Sequence, residues 1–244
     1  MVKKLEIGNL NPFKRFFAFD LNTNSKIYRQ DGILYKVPRR FTEDLDFVLE
    51  NLKKKKMNHV VQVKDIYTKN NKNYAYSMRY YSGYKSIRRF RNRDTKLKLE
   101  DCKKIIKTFR DLGSRNMIYY DFHKGNVLLR EDTNNIVICD LDGLEKCRRK
   151  EDKKKQLSDA VCLCAAYIYN VDFPEMKAYI KSKRRVDDKG IILSCYETVG
   201  TKDFFKNVER LSQIDPQDVQ YSKRRIRQDA KEEYKDHFDY YRKF

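Results

Sequence analysis

The chain has 244 residues and a formal net charge of +20, from 55 Lys and Arg against 35 Asp and Glu. Hydrophobic residues at 40% and aromatics at 13% supply a packed core, which excludes a disordered chain despite 37% charged residues. The longest apolar run, 160–169, is ten residues, short of the roughly 18 that a membrane helix needs. The basic N-terminus has no apolar segment behind it, so no secretory signal is expected. Six cysteines, at 102, 139, 147, 162, 164 and 195, and three histidines show no zinc spacing and no disulfide framework. A reducing cytoplasm, of a bacterium or a virus-infected host, is the expected compartment. A strongly basic chain suits acidic or phosphate-bearing partners, nucleic acid among them. The basic clusters at 85–98, 146–155, 181–189 and 223–227 are spread widely, however, and solvated faces explain them equally well.

In chain order, residues 26–37 predict a β-hairpin about Asp31-Gly32, with Leu34 and Lys36 on one face and Ile33, Tyr35 and Val37 on the other. Thr42 is placed to cap a helix over 42–55 whose apolar positions are Leu45, Val48, Leu49 and Leu52. Strands are expected over 60–68 and 74–81, joined by a turn at 69–73. After Ser82-Gly83, Leu99, Cys102, Ile105, Ile106, Phe109 and Leu112 mark a helix, with Gly113 as its stop. Residues 127–129 and 136–139 predict a second hairpin. Residues 160–169 are apolar on every side and read as a helix buried at the centre of a domain. Phe204, Phe205, Val208 and Leu211 form a later apolar stripe, and Asp215-Pro216 opens a charged helix to the C-terminus. The expected organisation is α+β: a β-rich lobe over 1–82 and a helical lobe over 83–244.

The chemistry concentrates in Tyr119-Tyr120-Asp121-Phe122-His123-Lys124-Gly125-Asn126 and in Cys139-Asp140-Leu141-Asp142-Gly143. One carboxylate can accept a proton from an attacking hydroxyl. An Asn oxygen and a second carboxylate are hard donors that suit Mg²⁺ held against phosphates.

These segments resemble the catalytic loop and D-F-G segment of the protein-kinase-like superfamily. The resemblance covers roughly 20–170 and implies a bilobal fold and transfer of the ATP γ-phosphate to a hydroxyl. It implies Asp121 as catalytic base, Asn126 and Asp140 as Mg²⁺ ligands with Asp142 assisting, and Lys36 as the phosphate anchor. Ile27 and Leu34 become an apolar lid over adenine, Met78 the gatekeeper and Tyr80 a hinge residue. Glu50 is the acid matched to Lys36, with Glu43 and Asp46 as competitors. Asp159 would tie the buried central helix, starting near Leu157, to the catalytic loop.

Four departures shape the expected activity. No glycine-rich loop is present; Leu21-Asn22-Thr23-Asn24-Ser25-Lys26 stands there. Tyr119 and Tyr120 replace the His and Arg of the loop. Asp121-Phe122-His123-Lys124-Gly125-Asn126 is similar to the loop of aminoglycoside phosphotransferases, and Asp142 to the second acid of lipopolysaccharide sugar kinases. No A-P-E segment follows. The first expectation is a compact atypical bacterial or viral Ser/Thr protein kinase, its basic surface suiting an acidic, macromolecular acceptor. A small-molecule or sugar kinase is the alternative, and a pseudokinase binding nucleic acid or protein the second. The run 146–155 is expected to be a charged loop or a docking strip for an acidic acceptor.

Overall fold

The computed structural model describes residues 11–12, 25–87, 99–122, 125–130, 135–169, 171–182, 190–215, 217 and 222–231. The chain divides into two compact units. Met1–Ser86 groups with Leu112–Arg148, and Ile87–Asp111 with Arg149–Phe244.

The first unit is built on a five-stranded antiparallel sheet. Its strands are β1 (Asn11–Pro12), β2 (Lys26–Gln30), β3 (Ile33–Val37), β4 (Val63–Lys69) and β5 (Lys72–Arg79), in the order β1-β2-β3-β5-β4. Asp31 and Gly32, with φ of 48° and 72°, make the left-handed two-residue turn whose twist matches paired strands. Asn70 and Asn71, at 51° and 59°, do the same between β4 and β5, so that connection is two residues long and not the five expected. Helix α1 (Glu43–Lys54) starts where Thr42 Oγ1 accepts from the Leu45 amide at 3.1 Å. It buries Leu45, Val48, Leu49 and Leu52.

Strands β6 (Lys85–Ser86), β7 (Met117–Tyr119), β8 (Val127–Arg130), β9 (Asn135–Ile138) and β10 (Leu144–Lys146) complete the unit. β8 pairs with β6 and β9, and β7 with β10; α1 packs on β4 and β10. The strand expected from residue 60 begins only at Val63. Val60 and Val61 turn instead to the end of β9, where the Val61 amide donates to Ile138 O at 3.0 Å.

Helix α2 (Leu99–Ser114) buries Cys102, Ile105, Ile106, Phe109 and Leu112. It runs through Gly113, the expected stop. The chain turns at Asn116 instead, with φ of 58°. Leu112 is fully buried and Met117 follows in a strand, so the packing of the last turn outweighs one glycine's modest helix cost.

The second unit is helical. Its described helices are α3 (Lys150–Ile168), α4 (Phe173–Lys181), α5 (Ile191–Glu197) and α6 (Phe204–Glu209), and residues 222–231 are also helical. α3 begins at Lys150, earlier than Leu157. The expected charged loop is therefore β10 followed by helix: Lys and Glu are good helix formers, and Asp152 and Gln156 turn inward. Gln156 Nε2 donates to Phe109 O at 3.0 Å. Residues 160–166 are buried throughout. Asp172 and Glu175 form a reciprocal capping box on α4, with Pro174 in its first turn. Phe204, Val208 and Leu211 are buried while Phe205 is only partly covered. Beyond residue 231, the expected last helix lies outside the described residues. Strands and helices thus give a mixed α+β chain, and no described helix is long and apolar enough to cross a membrane.

Candidate active site

The site lies within the first unit and starts from strand alternation. β3 has the burial pattern half-buried, buried, half-buried, buried, half-buried, which turns Leu34 and Lys36 inward. Cross-strand register sets Leu34 opposite Met78, and Lys36 opposite both Tyr76 on β5 and Ile27 on β2. Directly opposed residues share a face, so Ile27, Leu34, Lys36, Tyr76 and Met78 form one surface. Leu34 and Met78 are buried and Ile27 is half-buried. Tyr80 follows β5. Its amide donates to Gly32 O at 2.9 Å, and the Arg29 guanidinium stacks over its ring at 4.0 Å.

Lys36 is only 5% exposed, which demands a counter-charge. It comes from the loop after β9. The ammonium bonds Asp140 Oδ1 and lies 2.9 Å from Asp142 Oδ2. Burial pushes the Lys36 ammonium down, but Asp140 and then Asp142 outweigh it, and the net shift is upward. Lysine therefore stays charged in this site. Glu50, matched to Lys36 in the sequence, stands half-buried on α1. Its competitor Asp46 accepts from Asn73 Nδ2 at 2.6 Å. The ammonium has its two carboxylates elsewhere, Asp140 lying across 104 residues of chain and Asp142 two further on.

Asp140 has φ of 64° and ψ of 70°, a left-handed conformation uncommon outside glycine. Such backbone persists where the surroundings over-determine it. Here Tyr119 Oη donates to the carbonyls of Cys139 and Asp140, and the Cys139 amide donates to Asn126 O at 2.8 Å. Asn126, 7% exposed, donates from Nδ2 to Asp121 O at 3.0 Å and so closes the loop between the two residues. Asp121 itself is exposed, where a carboxylate can meet an incoming hydroxyl. Gly143 is required by close approach. A Cβ there would stand 2.9 Å from Asp121 Cβ and 3.1 Å from Tyr119 Cε2, while Gly143 O already accepts from the Tyr120 amide at 2.9 Å.

Three residues complete the site without having been singled out as ligands or anchors. Tyr76 Oη donates to Asp142 Oδ1 at 2.8 Å, Ser25 Oγ to Asp142 Oδ2 at 3.0 Å, and Tyr119 braces both loops. Burial, reinforced by Asp142 and Asp140, holds the Tyr76 phenol well above the ordinary tyrosine range, so it remains a donor. Burial does the same to Tyr119. Tyr76 was visible only through its register with Lys36, which needs the strand order. His123 and Lys124, part of the expected loop signature, lie outside the described residues. In the second unit, Asp159 forms an ion pair with Lys177 at 2.7 Å.

The donors offered by Asn126, Asp140 and Asp142 are all oxygens, and the two carboxylate side chains retain 37% and 27% exposure. Hard oxygens with room for water fit Mg²⁺. No three His, Cys, Asp or Glu side chains cluster among the described residues to hold a metal ion, so a site on Asp140 and Asp142 would need a further oxygen such as the Asn126 amide. No family model and no curated protein matches the chain.

Proposed function

We propose that the protein is an ATP- and Mg²⁺-dependent phosphotransferase of protein-kinase-like bilobal fold, moving the γ-phosphate to a hydroxyl. The observation that carries this reading is the union of Lys36 from β3 with Asp140 and Asp142 from the loop after β9, beside the Asp121–Asn126 loop. Isolated, each residue has an ordinary explanation as a surface lysine or a turn acid. Brought together, a buried lysine and partly exposed carboxylates make a cation and an oxygen set suited to polyphosphate.

In this reading Lys36 neutralises phosphate charge, and Asn126, Asp140 and Asp142 hold the metal. Mg²⁺, when bound, supplies charge neutralisation of the phosphate oxygens. Asp121 accepts the proton of the acceptor hydroxyl. Asn126 fixes the Asp121 backbone, and Tyr119 fixes the Asp140 backbone. Ile27, Leu34 and Met78 give the apolar face on which an adenine rests, with Tyr80 at its edge. In-line transfer breaks the Pγ–O bond to the leaving ADP as the acceptor oxygen bonds Pγ; it asks chiefly for positioning and charge stabilisation and needs no covalent enzyme intermediate.

We read the acceptor as a protein Ser or Thr hydroxyl, because a chain of net charge +20 attracts acidic macromolecules. A small-molecule or sugar hydroxyl is the second reading, favoured by Asp142 standing as a second acid beside Asp140. No disulfide joins any of the six cysteines, which suits a reducing cytoplasm. The test is a transfer screen with γ-labelled ATP and Mg²⁺ against a cell lysate. Label on protein supports the first reading and label on small molecules the second. Nucleic-acid or protein binding with no transfer at all is the outcome of a pseudokinase.

A further inference from the structure

We infer that Tyr76 is a positioning residue: its buried phenol orients the Asp142 carboxylate so that Asp142 holds Lys36 and serves as a metal ligand. The inference rests on the phosphotransferase reading above and names a residue of that same site. Its basis is the geometry of one carboxylate with two differently occupied oxygens. Oδ1 accepts from Tyr76 at 2.8 Å, while Oδ2 accepts from Ser25 at 3.0 Å and pairs with Lys36 at 2.9 Å.

Tyr76 is suited to this work by rigidity. It is fully buried and opposite Lys36 on β3 and Ile66 on β4, so its ring is fixed by strands on both sides. Asp142 has no such support of its own, since it sits in the short 3-10 turn Leu141–Gly143 after left-handed Asp140. A donor anchored in a sheet can hold a turn carboxylate that the turn alone leaves free to rotate about χ1 and χ2. The donor is also neutral. A lysine in that place would cancel the carboxylate charge, whereas a phenol orients the group and leaves its charge for a cation. Ser25 adds a second neutral donor, from the residue just before β2. Among the described residues the cation paired with Asp142 is Lys36, the same group that Asp140 engages.

The test uses Tyr76→Phe, which keeps the ring and removes only the hydroxyl, with Ser25→Ala as the second variant. The probe is Mn²⁺, titrated by electron paramagnetic resonance against the full chain with a saturating non-hydrolysable ATP analogue. Losing a hydrogen bond to a charged ligand should weaken Mn²⁺ about ten-fold in Tyr76→Phe, and by a smaller factor in Ser25→Ala. The Mg²⁺ concentration for half-maximal transfer should rise by the same factor while the KM for acceptor stays unchanged. A tyrosine whose hydroxyl is merely structural leaves Mn²⁺ affinity in Tyr76→Phe at the parent value, whether or not the melting temperature falls; that result overturns the inference alone. A parent protein that binds neither Mn²⁺ nor the analogue overturns the inference together with the reading it rests on.

Discussion

Gly143→Ala is the sharpest perturbation available to the Asp121 loop, because it adds one methyl against two named neighbours. The new Cβ would stand 2.9 Å from Asp121 Cβ, 3.1 Å from Tyr119 Cε2 and 3.5 Å from the Asp121 amide nitrogen. Ordinary carbon contacts begin at about 3.5 Å, so Asp121 must retreat by roughly 0.6 Å. Neither neighbour can swing aside cheaply. Asp121 Cβ is fixed to the backbone, and the Tyr119 ring is tethered by its hydroxyl to Cys139 O and Asp140 O. The backbone of residue 143 is held as well, through Tyr120 N to Gly143 O at 2.9 Å and the neighbouring Leu144–Tyr119 pair. Overpacking of this kind costs about 1–3 kcal/mol, or very roughly 2–10 °C of melting temperature for a chain of this size. Displacing a proton acceptor by a sizeable fraction of an ångström costs up to about 100-fold in rate. The expected result, by calorimetry and labelled-ATP transfer in parallel, is a folded protein with a modest melting loss and a rate loss of one to two orders of magnitude. A variant with parent activity would refute the placement of Asp121 as the group on which transfer depends.

Lys36→Met should abolish most transfer and lower the melting temperature, since Asp140 and Asp142 then face each other without their cation; added Mg²⁺ should restore part of that loss. A melting curve insensitive to Mg²⁺ in this variant contradicts the assignment of the two acids. Phosphatase treatment should leave transfer unchanged, because residues 140–157 contain no Ser, Thr or Tyr and Tyr120 offers no cation to dock a phosphate; a marked drop contradicts this. Burial raises the Cys162 thiol to about 12 and holds Cys164 well above its usual range. Because the folded values are raised, the thiol contribution to stability is intact below the ordinary cysteine value of 9.0 and is lost as pH climbs through the folded one. Native protein treated with iodoacetamide near neutral pH should therefore label Cys139 and Cys147, which are partly exposed, and spare Cys102, Cys162, Cys164 and Cys195; mass spectrometry reads the difference.

What the sequence made legible is the locally encoded part. Asp31-Gly32 requires only a left-handed turn between two alternating runs, and Thr42 only an unpaired amide three residues on. Both signals are complete within a few residues, and both elements formed as read. Gly113 failed as a helix stop because the burial of Leu112 overrode a local preference. The basic run at 146–155 became a strand and a helix because charge constrains exposure, not backbone conformation. The inward face of β3 followed from alternation, so Lys36 and Leu34 were placed together correctly. The partners of Lys36 did not follow, since Glu50 is near in sequence and Asp142 lies on a turn after another sheet. Tyr76 escaped notice for the same reason: an aromatic in a strand is ordinary until the register sets it opposite Lys36.

The most direct measurement of the central claim is γ-phosphate transfer by purified full-length protein, compared with Asp121→Asn, each with Mg²⁺ and with EDTA. Transfer is expected only with Mg²⁺. Asp121→Asn should lose roughly 10²–10⁴-fold, the range of a positioned proton acceptor, with ATP affinity nearly unchanged. Equal transfer by Asp121→Asn and the parent, or transfer that survives EDTA, would contradict it.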